Sequence, residues 1–243
     1  MLRGVLVIAA ALALASVAPA RAATPAPKLS HVTIMLRGDS TMYGTHPGQN
    51  NGAVTDQTPN NPPALLQADF DAMLPGRVTV INRAEPGSWL QEDLEGTGPY
   101  TAGTLAAELA ANPTVTIVIT NSEINDYTFS NPADYRNNLK TWIATVRAAG
   151  MTPWFEEPNP TCGVVACARP VPRNVTAYLS AMRSVARTTG VPLIPMYAPF
   201  LAQPDWTQLL QRDGVHPTDE GYAVKDTQAF GDLLRAVRSM LTP

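Results

Sequence analysis

"HVTIMLRGDSTMYG", His31 to Gly44, joins a short β-rich apolar run to a Gly-Asp-Ser turn. A continuous apolar run of this length suits a strand buried on both faces. The turn then places Ser40 just beyond the carboxyl end of that strand, where open parallel sheets bind their ligands. The rest of the chain repeats the pattern. Further β-rich runs are "VTVIN" (78–82), "VTIVIT" (115–120), "MTPWFE" (151–156) and "VPLIPM" (191–196). Helical spacing fills the gaps, over 63–74, 100–111, 132–149, 172–189 and 218–241. Gly150 and Gly190 stand as stop signals after two of these helices. Strict alternation predicts a single-domain α/β fold, a three-layer α/β/α sandwich on a five-stranded parallel sheet. With the common flavodoxin-like order 2-1-3-4-5, the loops after strands one, two and three converge on one crevice.

Those loops carry Ser40, then "NRAEPGSW", then "NSEINDY". A serine hydroxyl needs a base to become a nucleophile. The chain has three histidines: His31, His46 and His216. His31 opens the first strand, at the wrong end of the sheet. His46 sits in the loop after Ser40 and reads as a loop residue or substrate contact. His216 lies in "RDGVHPTDEGY", after the last strand, with Asp213 three residues earlier. A tight loop can bring an Asp-x-x-His pair together so that the carboxylate receives the Nδ1 proton and fixes the imidazole tautomer. Taken singly, each residue has an ordinary explanation. Ser40 and Gly87 are turn residues, Asp39 closes a turn, and Asn125 is a helix cap or Asx-turn.

Taken in order, the four blocks resemble those of the SGNH (GDSL-type) hydrolase family, and "GDSTM" is similar to its carbohydrate acetylesterase subgroup. The resemblance implies Ser40 as nucleophile, Asp213 and His216 as the rest of the triad, and an oxyanion hole from the Ser40 and Gly87 backbone N–H groups and the Asn125 amide. Two positions depart from the pattern. Glu123 stands where the third block has glycine, bringing a carboxylate towards the oxyanion hole. Ala84 stands where the second block often has glycine.

The functional expectation is a serine esterase cleaving short acyl esters, such as acetyl esters of carbohydrates or other small molecules. A lipid-directed esterase or lysophospholipase, an acyltransferase and a non-catalytic carbohydrate-binding protein are the alternatives. Tyr43, Trp89 and Tyr127 are the candidate substrate contacts, with Phe129 nearby; Trp154, inside a strand, reads as core. No metal or cofactor is implied. Dependence on an unprotonated His216 implies activity that falls below roughly pH 6–7.

The N-terminus has a basic start, an apolar stretch from Gly4 to Val17 and a small-residue pattern at Ala20-Arg21-Ala22. This reads as a signal peptide over 1–22 and implies a secreted or periplasmic protein. The apolar stretch is shorter than the roughly 20 residues of a spanning helix, and no stable membrane insertion is expected. A linker over 23–30 would precede the domain at 31–243. The net charge is -3; without Arg3 and Arg21, 15 basic residues face 20 acidic ones. With no basic block, nucleic acid is not an expected partner. Cys162 and Cys167 predict one local disulfide in an exported chain; without further ligands they make a poor zinc site.

Overall fold

The computed structural model describes residues 28–46, 56–162 and 175–242. The expected signal peptide and Cys167 lie outside the described residues. In chain order the elements are β1 (Val32–Arg37), α1 (Ser40–Tyr43), α2 (Pro62–Met73), β2 (Val78–Asn82), α3 (Leu90–Glu95), α4 (Leu105–Ala111) and β3 (Ile117–Thr120). Then come α5 (Asp126–Phe129), α6 (Pro132–Ala148), β4 (Thr152–Glu156), α7 (Val175–Thr189), β5 (Leu193–Ile194) and α8 (Tyr197–Leu201). A 3₁₀ turn at Trp206–Leu209 precedes α9 (Asp219–Met240). All strand pairs are parallel, in the order β2-β1-β3-β4-β5. This is the expected sheet.

Strand alternation divides the core into two. Met35, Val118 and Phe155 point to the layer formed by α3, α4, α6 and α7. Ile34, Leu36, Ile119 and Trp154 point to the layer of α2 and α9. Trp154 is therefore core, as expected from its place in a strand. Successive side chains of a strand leave opposite faces, so both faces of β1 are apolar because both are covered.

Local chemistry sets the element ends. Asn61 caps α2 by accepting from Ala64 N–H, and Pro62 and Pro63 fill its first turn, where the missing N–H costs nothing. Asn131 caps α6 and Thr218 caps α9. The helix expected from Tyr100 starts only at Leu105, because Thr104 is its cap and Gly103 sits at φ +112. The last strand shrinks from the expected 191–196 to two residues. Pro192 and Pro195 flank it, and neither can donate to a ladder. The short helices α1, α3, α5 and α8 have too few residues to show a periodicity in sequence.

Candidate active site

Ser40 is the first residue of α1, directly after the β1 turn. Asp39 is the N-cap, accepting from Thr41 N–H and Thr41 Oγ1, each at 2.8 Å. It is buried and holds the turn rather than facing substrate. Gly38 takes φ +127, and a Cβ there would lie 2.0 Å from Asn121 Oδ1; only glycine fits. The turn's amides are occupied in sequence. Gly38 N–H donates to Tyr100 Oη at 3.3 Å and Asp39 N–H to Asn121 Oδ1 at 3.2 Å. Among the described residues the Ser40 N–H has no acceptor.

The Asp213–His216 segment is a closed loop. An antiparallel bridge joins Leu210 and Pro217, and Gln211 N–H donates to His216 O at 2.7 Å. Asp213 Oδ1 accepts from Val215 N–H and His216 N–H, at 2.9 and 3.0 Å. Its other oxygen, Oδ2, lies 2.6 Å from His216 Nδ1. The loop is anchored to the segment after β4: Cys162 N–H donates to Gly214 O at 2.7 Å, and Asn159 Nδ2 donates to Val215 O at 3.0 Å. His216 Nε2 then reaches Ser40 Oγ at 2.8 Å, across 176 residues of sequence. With Nδ1–H donating to the carboxylate, Nε2 is left as acceptor for the serine proton. Burial pushes the Asp213 pKa up, but hydrogen bonds from the His216 ring and from the Val215 and His216 amides outweigh it, so the net shift is downward. The carboxylate therefore stays ionised at neutral pH.

The second and third blocks meet beside this pair. Gly87 takes φ +80 in the turn closed by Ser88 N–H to Glu85 O, and its own N–H has no acceptor among the described residues. Asn125 Nδ2 donates to Ser88 O at 2.8 Å. A side-chain amide carries two N–H bonds, so one remains beyond this contact. Asn82 Oδ1 accepts from Ala84 N–H at 3.1 Å and stiffens the entry to the second block.

Glu123 is completely buried, and neither carboxyl oxygen has a partner that meets hydrogen-bond geometry among the described residues. Burial first, then Asp126, Asp39 and Glu157, push its pKa well up. Burial likewise pushes Asp126 up to about 8. For both side chains burial disfavours the ionised form. The negative charge anticipated from Glu123 near the oxyanion position is thus opposed by desolvation, which favours the protonated acid.

The candidate substrate contacts differ in setting. Tyr43 and Tyr127 are partly buried and lean on the two core clusters. Trp89 packs on Phe129, with ring centroids 6.0 Å apart at a 36° tilt, and Phe129 is one of two exposed large apolar residues among those described. Trp89 follows Gly87 by two residues and Phe129 follows Asn125 by four, so the pair flanks both blocks. His46 Nδ1 is buried without a partner among the described residues; His31 bonds Thr79 at the opposite end of β1. Among the described residues no group of three His, Cys, Asp or Glu side chains could hold a metal, and no helix is long and apolar enough to cross a membrane. The residues that sequence reasoning missed are Ser88 and Tyr100, which bond the Gly38 carbonyl from other loops.

Known structures share this architecture. A lipase/acylhydrolase from Enterococcus faecalis superposes with a TM-score of 0.65 at 20% identity, covering 83% of this chain and 95% of its own. An acetyl xylan esterase, AlAXEase, gives 0.66 at 14% identity, covering 83% and 100%. The psychrotrophic esterase EstA from Pseudoalteromonas sp. gives 0.63 at 18%, covering 85% and 98%. At these identities the likeness concerns the fold. No curated protein matches in sequence. The model of the GDSL-like lipase/acylhydrolase family matches residues 36–224, a span that holds all four blocks. The chain belongs to that family of ester hydrolases.

Proposed function

We propose that the chain is an exported serine esterase that hydrolyses short-chain acyl esters, acetyl esters among them, through an acyl-enzyme. The observation that carries this reading is the relay of Ser40 Oγ, His216 Nε2 and Nδ1, and Asp213 Oδ2, at 2.8 and 2.6 Å. Ser40 Oγ attacks the ester carbonyl carbon while its proton passes to His216 Nε2. Asp213 stabilises the imidazolium that results. The carbonyl oxygen becomes an oxyanion, for which the Ser40 and Gly87 N–H groups and the second Asn125 N–H are the donors. Such donors act where charge develops, and removing one typically costs about 10²–10³ in rate. The imidazolium then gives its proton to the departing alkoxide, and the alcohol leaves. Water repeats the sequence on the acyl-Ser40 ester and releases the acid.

Support for a short acyl group comes from the "GDSTM" block and from fold likeness to a protein named as an acetyl xylan esterase. The Trp89–Phe129 pair is suited to the alcohol half of such an ester, since an aromatic face packs on a sugar ring. The leader directs export, where a Cys162–Cys167 disulfide would be stable.

The test is a p-nitrophenyl ester series from acetate to palmitate, with the wild type and Ser40→Ala. Acetate cleaved fastest, and lost in Ser40→Ala, is the expected outcome. Long esters cleaved faster would replace this reading with a lipid-directed esterase on the same residues. Added alcohols that divert the product from acid to ester would indicate an acyltransferase.

A further inference from the structure

We infer that Tyr100 and Ser88, which lie outside the triad, are positioning residues of the oxyanion hole, acting through the carbonyl of Gly38. This rests on the reading of Ser40, Gly87 and Asn125 as oxyanion donors. Three donors converge on Gly38 O: Glu85 N–H at 2.9 Å, Tyr100 Oη at 3.0 Å and Ser88 Oγ at 3.0 Å. Tyr100 Oη also accepts from the Gly38 N–H at 3.3 Å, so one phenol grips both polar groups of that residue. The acceptor and two of its three donors belong to segments that bear on the hole, and Tyr100 ties them together from outside. Gly38 lies two residues before the Ser40 amide. Glu85 and Ser88 bracket Gly87. Ser88 O in turn accepts from Asn125 Nδ2 at 2.8 Å. A single carbonyl and a single serine thus register all three candidate donors against one another.

The phenol itself is rigidly held. Tyr100 is buried, and the Arg37 guanidinium stacks on its ring at 4.4 Å. Arg37 pairs with Asp93, and Asp93 Oδ2 accepts from Trp142 Nε1 at 3.0 Å. Burial, with the Asp93 carboxylate adding to it, pushes the phenol pKa upward, so Tyr100 remains a neutral donor at any working pH. Ser88 is fully buried and does not face substrate. A catalytic donor displaced by about 1 Å can lose on the order of 10² in rate, and these contacts prevent such a displacement.

The test compares Tyr100→Phe and Ser88→Ala with Trp142→Phe, which perturbs the same buried network without touching Gly38. Tyr100→Phe keeps the ring and its cation–π contact and removes only the hydroxyl. For p-nitrophenyl acetate, kcat should fall about 10- to 100-fold in both hub variants, with KM changed less than about twofold. Inhibition by an alkylboronic acid, whose serine adduct is a tetrahedral anion, should weaken by the same factor. Trp142→Phe should lower Tm but leave kcat and boronate affinity near wild type. If Tyr100→Phe does not fold, Ser88→Ala carries the comparison. Unchanged kcat and boronate affinity in the folded hub variants, with Ser40→Ala inactive, would overturn this inference alone. A Trp142→Phe variant that lost kcat as the hub variants do would also overturn it, because the effect would be general to the core. Turnover retained in Ser40→Ala would overturn the reading of the site and this inference with it.

Discussion

Replacing Asp213 by Asn tests the tautomer argument directly. In the wild type, Oδ1 is fixed by two backbone N–H groups at 2.9 and 3.0 Å, while Oδ2 faces His216 Nδ1 at 2.6 Å. An asparagine would keep its oxygen on the backbone donors and turn its NH₂ towards the imidazole. His216 Nδ1 would then be an acceptor, leaving the proton on Nε2, facing the serine it should deprotonate. The charge loss is moderate, since the Asp213 side chain is 33% exposed and that of His216 is 12% exposed. Taking an effective dielectric of about 40 and a charge separation of about 4 Å gives about 2 kcal/mol. The lost charge-assisted hydrogen bond contributes about 2 kcal/mol more. Together these lower kcat about 10³-fold. Asp213→Ala loses the charge too, but admits water to Nδ1 and leaves either tautomer available, so its loss should be nearer 10². The assay is kcat and KM for p-nitrophenyl acetate, with near-UV circular dichroism to confirm folding. Asn within tenfold of wild type, or Asn more active than Ala, would refute the reasoning.

Glu123→Gln should retain kcat within about threefold, because the amide mimics the neutral acid that burial favours. Its effect on stability has a definite sign. The native pKa lies above the unfolded value, so the unfolded chain releases its proton first and wild-type stability falls as pH rises through that interval. Gln should therefore stabilise at pH 8.5 and have little effect at pH 4, as urea titrations would show; a gain only at acid pH would contradict this. Asp93→Ala should destabilise by about 3–5 kcal/mol, since it strands the buried Arg37 guanidinium and unpairs Trp142 Nε1; a change under about 1 kcal/mol in urea unfolding would show that water enters the site. Trp89→Ala should raise KM for aryl or pyranoside acetates more than for methyl acetate, and equal effects on both would remove the pair from the substrate site.

The parallel sheet and the Asp213–His216 pair were legible because both leave local signals. Apolar runs mark strands that are covered on both faces, and their alternation with helices predicts a parallel sheet, for which 2-1-3-4-5 is a common order. Asp213 and His216 are three apart, and the same short loop that brings them together can be read as a turn. Ser88 and Tyr100 left no such mark. Tyr100 reaches Gly38 across 62 residues, and in sequence it is only the start of an alanine-rich segment. Glu123 was visible as a departure from the family pattern. The upward push on its pKa was not, because burial, and then Asp126, Asp39 and Glu157, cause it.

The most direct test of the central claim is intact-protein and peptide mass spectrometry after treatment with a p-nitrophenyl alkylphosphonate. The account predicts one equivalent of nitrophenol released, one phosphonyl group on the peptide containing Ser40, and much slower labelling in His216→Ala. A label on another residue, or ester turnover that persists in the Ser40→Ala protein, would contradict it.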